Sequence, residues 1–224
     1  MTDVPEPQWE RTAKTKMGTY LTSIETAFIK KTVDFTKIRL IADVGCGGGK
    51  YTRIAMQNNA EVISLDRDLN SLKWLKQTSP NANPVLSDAA SLPLRENFFD
   101  GMFLIEIFDY IPQTQMLLQE CKRVLKQDGT FIFSFGNTNS LKSRLKQLRG
   151  SRYMQDRRSY KEVTQMLKTL NFEITQKTGY NWMLMDRQSN NPLIPLLGKL
   201  IRLFRLQKLP AYSPWIIAAA SKQA

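Results

Sequence analysis

The 224-residue sequence contains no histidine, only two cysteines and no long hydrophobic run. Without histidine, a Ser-His-Asp triad, imidazole acid–base catalysis and most zinc sites are excluded, and we expect no metal site. Cys46 and Cys121 are too few for a disulfide framework and suit a reducing compartment. No segment approaches the ~20 apolar residues of a transmembrane helix. The acidic, proline-containing start, MTDVPEPQWE, lacks the apolar core of a signal peptide. These features predict a cytoplasmic protein.

Acidic residues are scarce in the last third of the sequence. Residues 138–224 contain 16 Lys/Arg but only 4 Asp/Glu, whereas residues 1–137 contain 16 of each, so the net charge of +12 arises entirely from the last third. Such an excess is found on ordinary solvated surfaces. It is also typical of surfaces that contact a phosphorylated substrate, a membrane or RNA.

Short apolar runs alternate with helical patterns along most of the chain. The predicted strands are 39–44, 61–65, 84–87, 99–105, 130–135, 172–178 and 215–220, and the predicted helices include 8–33, 50–58, 69–77 and 113–126. Gly129 is predicted to cap the last of these helices in a left-handed conformation. The alternation predicts an α/β fold: a doubly wound, mostly parallel sheet of seven strands, with the last strand antiparallel.

The glycine-rich segment IADVGCGGGKYTRIA, residues 41–55, predicts a ligand-binding turn between the first strand and a helix. A triphosphate loop, G-x-x-x-x-G-K-[ST], is excluded because Val44 and Tyr51 occupy two of its required positions. A dinucleotide loop, G-x-G-x-x-G, is disfavoured because Lys50 replaces its third glycine. The pattern D-x-G-x-G-x-G fits at Asp43, Gly45, Gly47 and Gly49. It suits a ligand that carries both an ammonium and a carboxylate group.

Acidic residues also follow the next strands, at Asp66 and Asp88, and the later segments read FFDGMFLIEIFDYIP and ECKRVLKQDGTFIFSF. In order and spacing, these motifs resemble class I S-adenosylmethionine-dependent methyltransferases, most closely the small-molecule branch (ubiquinone/menaquinone-type, methyltransferase type 11-like). The resemblance is specific over 38–137 and loose over 160–221. It implies the Rossmann-like strand order 3-2-1-4-5-7-6. It also implies a helical cap, 1–37, before an S-adenosylmethionine-binding domain, 38–224, with basic insertions at about 138–162 and 187–212.

The resemblance further implies S-adenosyl-L-methionine as cofactor and S-adenosyl-L-homocysteine as product. The glycine turn would hold the methionine part beside Asp43, Asp66 would bind the ribose, and Asp88 would bind the adenine amine. The cofactor residues implied in this way are Asp43, Gly45, Cys46, Gly47, Asp66, Arg67, Asp88, Ala89, Ile105 and Glu106.

The catalytic candidates follow the fourth strand. Relatives show a pattern like E-H-I-P there, whereas this sequence reads D-Y-I-P, with tyrosine in place of histidine. Asp109 or Tyr110 would then serve as base. Tyr110 is equally compatible with a packing role, and methyl transfer to an amine or a thiolate needs no base.

The predicted function is methyl transfer to a small-molecule, sugar or lipid-linked acceptor. The acceptor is expected to be anionic, because the basic insertions, 138–162 and 192–208, are expected to roof the substrate pocket. In PLIPLLGKLIRLFRLQK, residues 192–208, basic and leucine-rich sides alternate at helical spacing. Pro195 and Gly198 indicate a short helix that starts late in this segment. The helix would either pack on its own sheet or contact a membrane peripherally. Two alternatives remain: a tRNA or other RNA methyltransferase, less favoured because no array of stacking aromatics is present, and a non-catalytic cofactor-binding module.

Overall fold

The computed structural model describes residues 4–148 and 158–223. One seven-stranded sheet runs in the order β3-β2-β1-β4-β5-β7-β6. Strands β1 to β5 are parallel neighbours, and β7 pairs antiparallel with both β5 and β6. The predicted fold class and strand order are therefore confirmed. The strands are β1 (Leu40–Val44), β2 (Glu61–Asp66), β3 (Asn83–Leu86), β4 (Phe99–Leu104), β5 (Leu125–Gly136), β6 (Phe172–Tyr180) and β7 (Trp215–Lys222).

Helices cover both faces of this sheet. They are α1 (Gln8–Ala13), α2 (Lys16–Thr32), α3 (Lys50–Met56), α4 (Leu69–Thr78), α5 (Thr114–Val124), α6 (Leu141–Leu148), α7 (Tyr160–Thr169) and α8 (Ile194–Leu203). Because successive side chains of a strand point to opposite faces, β5 contributes to two cores. Phe131, Phe133 and Phe135 pack with α5 and α7 on one face, and Ile132 packs with α2 on the other.

The predicted single helix over 8–33 is wrong, because the structure has two helices there. The chain breaks after α1, and the Thr15 side chain caps α2 by accepting a hydrogen bond from the Gly18 backbone N–H at 3.0 Å. Gly18 lies so close to α1 that an added Cβ would be 2.0 Å from the Thr12 carbonyl oxygen. The break therefore depends on close packing between the two helices.

Gly129 does not form the predicted left-handed cap. Helix α5 ends at Val124, and the chain passes directly into β5 at the buried Leu125, whose backbone is extended. The left-handed position is Asp128, at a φ of 60°. The strand already begins at the buried Leu125. The polar residues that follow it therefore form a turn within β5 and do not cap the helix.

Helix α8 is a short helix that starts late in the segment 192–208, as predicted, and it packs on α2. Ile194, Leu197 and Ile201 join the apolar core on that side, and Gly198 lies against the ring of Tyr20. The helix ends before Arg205, whose φ is 53°, and short 3-10 helices follow at Leu206–Lys208 and Pro210–Tyr212. Among the described helices, none has the length and apolar character needed to cross a bilayer.

Candidate active site

A cavity of about 640 Å³ opens at the carboxyl ends of β1, β2 and β4. This is the edge at which open α/β sheets bind ligands. All the predicted cofactor residues except Asp43 line this cavity, and so does the catalytic candidate Tyr110. The fold thus brings together residues that lie far apart in the sequence.

The glycine turn forms one wall of the cavity. Gly45 and Gly47 have φ angles of 70° and 53°, which favour glycine. An added Cβ at Gly45 would lie 2.3 Å from a methyl carbon of Ile107, whereas one at Gly47 would meet no atom within 4 Å. Gly47 therefore exposes its backbone to open space, where a ligand can approach closely.

Asp66 connects the end of β2 to this turn. Its Oδ2 atom accepts a hydrogen bond from the Gly47 backbone N–H at 2.7 Å, and its Oδ1 atom accepts one from the Asp68 N–H at 2.9 Å. Arg67 and Asp88 are exposed at the same rim, and Asp88 accepts a hydrogen bond from the Ala90 N–H at 2.8 Å. These carboxylates are placed where a nucleoside could bind, and the contacts of Asp66 with a ribose and of Asp88 with an adenine stay predictions.

Asp43 is buried behind the turn and does not line the cavity. Its Oδ2 atom accepts a hydrogen bond from the Thr52 hydroxyl at 2.6 Å. Burial raises the pKa of Asp43 to about 6, although the bond from Thr52 opposes the shift. This position favours a role in holding β1 and α3 around the turn over direct contact with a cofactor ammonium group.

Glu106 lies at the end of β4 in a charged part of the cavity. Its φ is 65°, and its backbone N–H donates to the Ser134 hydroxyl at 2.8 Å. Its carboxylate forms an ion pair with Arg187, and Lys50 Nζ lies 3.9 Å away. Burial alone would raise the pKa of Glu106, but Arg187 and Lys50 outweigh it and lower this pKa.

Glu25 of α2 lies behind this ion pair with no exposed surface. It accepts hydrogen bonds from the hydroxyls of Tyr51 and Tyr180, the latter at 2.9 Å, and Arg187 lies 3.8 Å from it. Burial, helped by the nearby Glu106 charge, raises the pKa of Glu25 to about 7. Sequence reasoning missed this residue. Its signal was a carboxylate in line with Leu21 and Ile29, on the apolar side of its helix.

The two catalytic candidates occupy different places. Tyr110 is exposed at the cavity mouth, where its ring meets that of Trp9 edge to face at 6.0 Å. Asp109 is not among the cavity residues, and its Oδ1 atom accepts a hydrogen bond from the Gly136 N–H at 3.1 Å. A catalytic role for either residue stays a prediction.

The basic insertions contribute little to the cavity. From 138–162, only Lys142 and Ser143 line it, and residues 149–157 of that insertion lie outside the described chain. Lys142 Nζ donates to the carbonyls of Met183 and Met185. No residue of 192–208 lines the cavity, because α8 is held on α2. The prediction that 192–208 roofs the pocket is therefore wrong for the described structure.

Residues 42–133 match a family model described as "Methyltransferase domain". These residues therefore carry a methyltransferase domain. The fold agrees with a SAM-dependent methyltransferase from Archaeoglobus fulgidus, with a TM-score of 0.62 at 17% identity over 90% of this chain and 94% of that one. These similarities confirm the predicted family and its cofactor, S-adenosylmethionine, for which the cavity residues provide a fitting site.

Two curated relatives of this methyltransferase domain have named substrates. The ubiquinone biosynthesis O-methyltransferase of Coxiella burnetii is 24% identical over 156 residues, which are 68% of this chain and 66% of that protein. The malonyl-[acyl-carrier protein] O-methyltransferase of Hamiltonella defensa is 27% identical over 126 residues, 53% of this chain and 49% of that protein. The chain thus matches about two thirds and about half of their lengths. These partial matches do not define the reaction of the whole protein.

Proposed function

We propose that the protein transfers a methyl group from S-adenosylmethionine to a small, lipid-linked acceptor. The observation that carries this proposal is that the cavity of about 640 Å³ is lined both by the predicted cofactor residues and by apolar side chains. The apolar side includes Trp9, Tyr110, Pro214 and Trp215. Such a surface suits an apolar acceptor group placed beside the cofactor. The relatives named for ubiquinone biosynthesis and for malonyl-[acyl-carrier protein] support an acceptor that carries an apolar group.

Cofactor binding can be tested at Asp66. We expect S-adenosylhomocysteine to bind the wild-type protein in isothermal titration, and Asp66→Ala to weaken binding about tenfold or more, since hydrogen bonds to charged groups contribute about 1.5–3 kcal/mol. Glu61→Ala is the matched control, because Glu61 is an exposed carboxylate at the opposite end of β2. Failure of the wild-type protein to bind at millimolar ligand, or equal binding by both variants, would contradict the assignment.

The acceptor class can be tested with cell extract. The protein and labelled S-adenosylmethionine are incubated with separated lipid, small-molecule and RNA fractions. Label in the lipid or small-molecule fraction is expected. Label in tRNA would instead favour the RNA methyltransferase alternative, and label in no fraction would favour a non-catalytic binding module.

The outer face of α8 supports contact with an anionic membrane surface. Leu196, Leu200, Leu203 and Phe204 are 55%, 40%, 72% and 68% exposed. Lys199, Arg202, Arg205 and Lys208 stand among them, and residues 187–224 contain no Asp or Glu. Exposed apolar side chains beside cationic ones are typical of interfacial helices. This face, named here the α8 outer face, would bring the cavity to a lipid-linked acceptor.

Vesicle flotation tests the α8 outer face. We expect the wild-type protein to float with phosphatidylcholine vesicles that contain phosphatidylglycerol, less so without it, and less as salt rises. Leu203→Glu with Phe204→Glu should abolish flotation. The control, Met116→Glu, changes an apolar residue that is 52% exposed on α5. Flotation of the double variant equal to that of the wild type would show that this face does not bind lipid.

A further inference from the structure

We propose that Glu25 is the proton acceptor for methyl transfer to an oxygen acid, and that Tyr180 connects it to the cavity. The inference rests on the proposed methyl transfer and names the residues that would remove the acceptor's proton. Tyr180 lines the cavity, and its hydroxyl donates to Glu25 Oε1 at 2.9 Å. Tyr51, which also lines the cavity, donates to the other oxygen of Glu25.

Tyr180 stands on the acceptor side of the cavity. It is the last residue of β6, and its ring meets that of Trp215 edge to face at 6.1 Å. Tyr51 is the second residue of α3, beside the glycine turn. The two tyrosines thus join Glu25 to both halves of the cavity, and Tyr180 is the one that an acceptor hydroxyl would reach.

The charged groups around Glu25 and Glu106 shift the pKa values of these two carboxylates in opposite directions. Facing Glu25 are Tyr51 and Lys50 of α3, Glu106 after β4, and Tyr180 and Arg187 from β6 and the segment after it. Arg187 and Lys50 keep Glu106 ionised and lower its pKa. Burial raises the pKa of Glu25 to about 7, so that Glu25 can take up and release a proton near neutrality.

The proton and electron transfers balance without any oxidant or reductant. The acceptor hydroxyl gives its proton to the Tyr180 oxygen while Tyr180 passes its own proton to Glu25. The acceptor oxygen uses its electron pair to bond the methyl carbon, and the electron pair of the broken carbon–sulfur bond goes to the sulfonium sulfur, which becomes neutral. Glu25 ends as a neutral carboxylic acid and returns its proton to solvent before the next turnover.

Two small acceptors separate proton removal from methyl transfer. Catechol is an oxygen acid that needs a base, whereas thiophenol at pH 8 is already a thiolate and needs none. Glu25→Gln keeps the size of the side chain and one acceptor oxygen for a tyrosine hydroxyl but removes the base, and Tyr180→Phe removes the connecting hydroxyl. We expect both variants to lower kcat for catechol at least about 100-fold, with little change in KM or in transfer to thiophenolate. Glu25→Asp should recover part of the catechol rate.

The control variant is Tyr160→Phe, which removes a hydroxyl that binds Lys177 outside the cavity. The wild-type rate with catechol should rise with pH through about 7, and this rise should be absent in Glu25→Gln. Independently of activity, ¹³C-carboxyl-labelled glutamate should give one NMR signal that titrates near pH 7 and is missing from the Glu25→Gln spectrum.

The outcomes distinguish the inference from the proposed function. Equal loss with catechol and thiophenolate, or a Glu25 signal that titrates near 4.5, overturns the role of Glu25 while methyl transfer stands. Transfer to neither probe by a protein that binds S-adenosylhomocysteine overturns the oxygen-acid acceptor and leaves the cofactor assignment intact. Failure to bind S-adenosylhomocysteine overturns the proposed function itself.

Discussion

Gly45 and Gly47 share a left-handed backbone but should respond differently to substitution. Gly45→Ala places a Cβ 2.3 Å from Ile107, so we expect a large loss of stability. Gly47→Ala meets no protein atom within 4 Å and should cost only the strain of the backbone, about 1–2 kcal/mol. It should nevertheless weaken S-adenosylhomocysteine binding, because its methyl group enters the open space above the turn.

Thermal melting and isothermal titration check this difference. Gly47→Asn is a useful companion, because asparagine tolerates the left-handed region better than alanine. It should melt near the wild-type temperature and still bind the ligand weakly. Unchanged affinity in both Gly47 variants would show that the ligand does not approach this residue.

Glu25 should make stability depend on pH. Its pKa is about 7 in the folded protein and near 4.5 in the unfolded chain, so its contribution is fully present below pH 4.5 and is lost as pH rises through 7. The loss is on the order of 3 kcal/mol. Asp43, whose pKa is also raised, adds to the same trend in every variant that keeps it.

Urea unfolding of the wild-type protein and Glu25→Gln at pH 5 and pH 8 isolates this contribution. Glu25→Gln should gain stability relative to the wild type at the higher pH. A difference in unfolding free energy that does not change with pH would mean that Glu25 has an ordinary pKa.

At the scale of elements, we expect α1 to contribute more to acceptor binding than to the stability of the fold. Only Thr12 of this short helix is buried, while Trp9 and Glu10 line the cavity, and Glu10 bonds Arg53 at 2.9 Å. Trp9 is half exposed, so Trp9→Ala should leave the melting temperature nearly unchanged. Because it removes one aromatic wall, it should raise KM for catechol several-fold.

Steady-state kinetics with catechol and titration with S-adenosylhomocysteine measure this effect. Phe98→Ala, which removes an exposed aromatic residue that does not line the cavity, is the matched control. A fall in S-adenosylhomocysteine affinity equal to the rise in KM would place Trp9 against the cofactor instead of the acceptor.

The sequence predicted the strands well because their apolar runs are local. It was also predictable that Gly45, Gly47, Asp66 and Asp88 line one cavity, since each lies at or just after the end of a strand whose position the fold determines. The break before α2 was not predictable, because it depends on how Gly18 packs against Thr12. The bond between Tyr180 and Glu25 joins residues 155 positions apart, which no local pattern reveals. The amphipathic pattern of 192–208 indicated a helix. It did not indicate that α2 covers only part of the apolar surface of this helix.

At the scale of the whole molecule, the basic last third contributes Lys142 and Arg187 to the cavity, whereas the basic residues of α8 lie elsewhere. The first 137 residues are neutral overall, and the ends of their strands line the cavity. The basic residues of α8 lie on a surface apart from the cavity, where they stand beside exposed leucines. The positive charge of α8 therefore lies outside the cavity, where it serves the membrane contact proposed above.

The position of β7 has a consequence for synthesis on the ribosome. This strand follows β6 along the chain but lies between β5 and β6 in the sheet, and it pairs with both. When the nascent chain has emerged only as far as β6, the strand β7 is still missing. At that stage β6 has no partner strand, and the long edge of β5 is unpaired. Unpaired strand edges promote association between chains. We therefore expect protection by a chaperone to matter most in the interval between the emergence of β5 and that of residues 215–222.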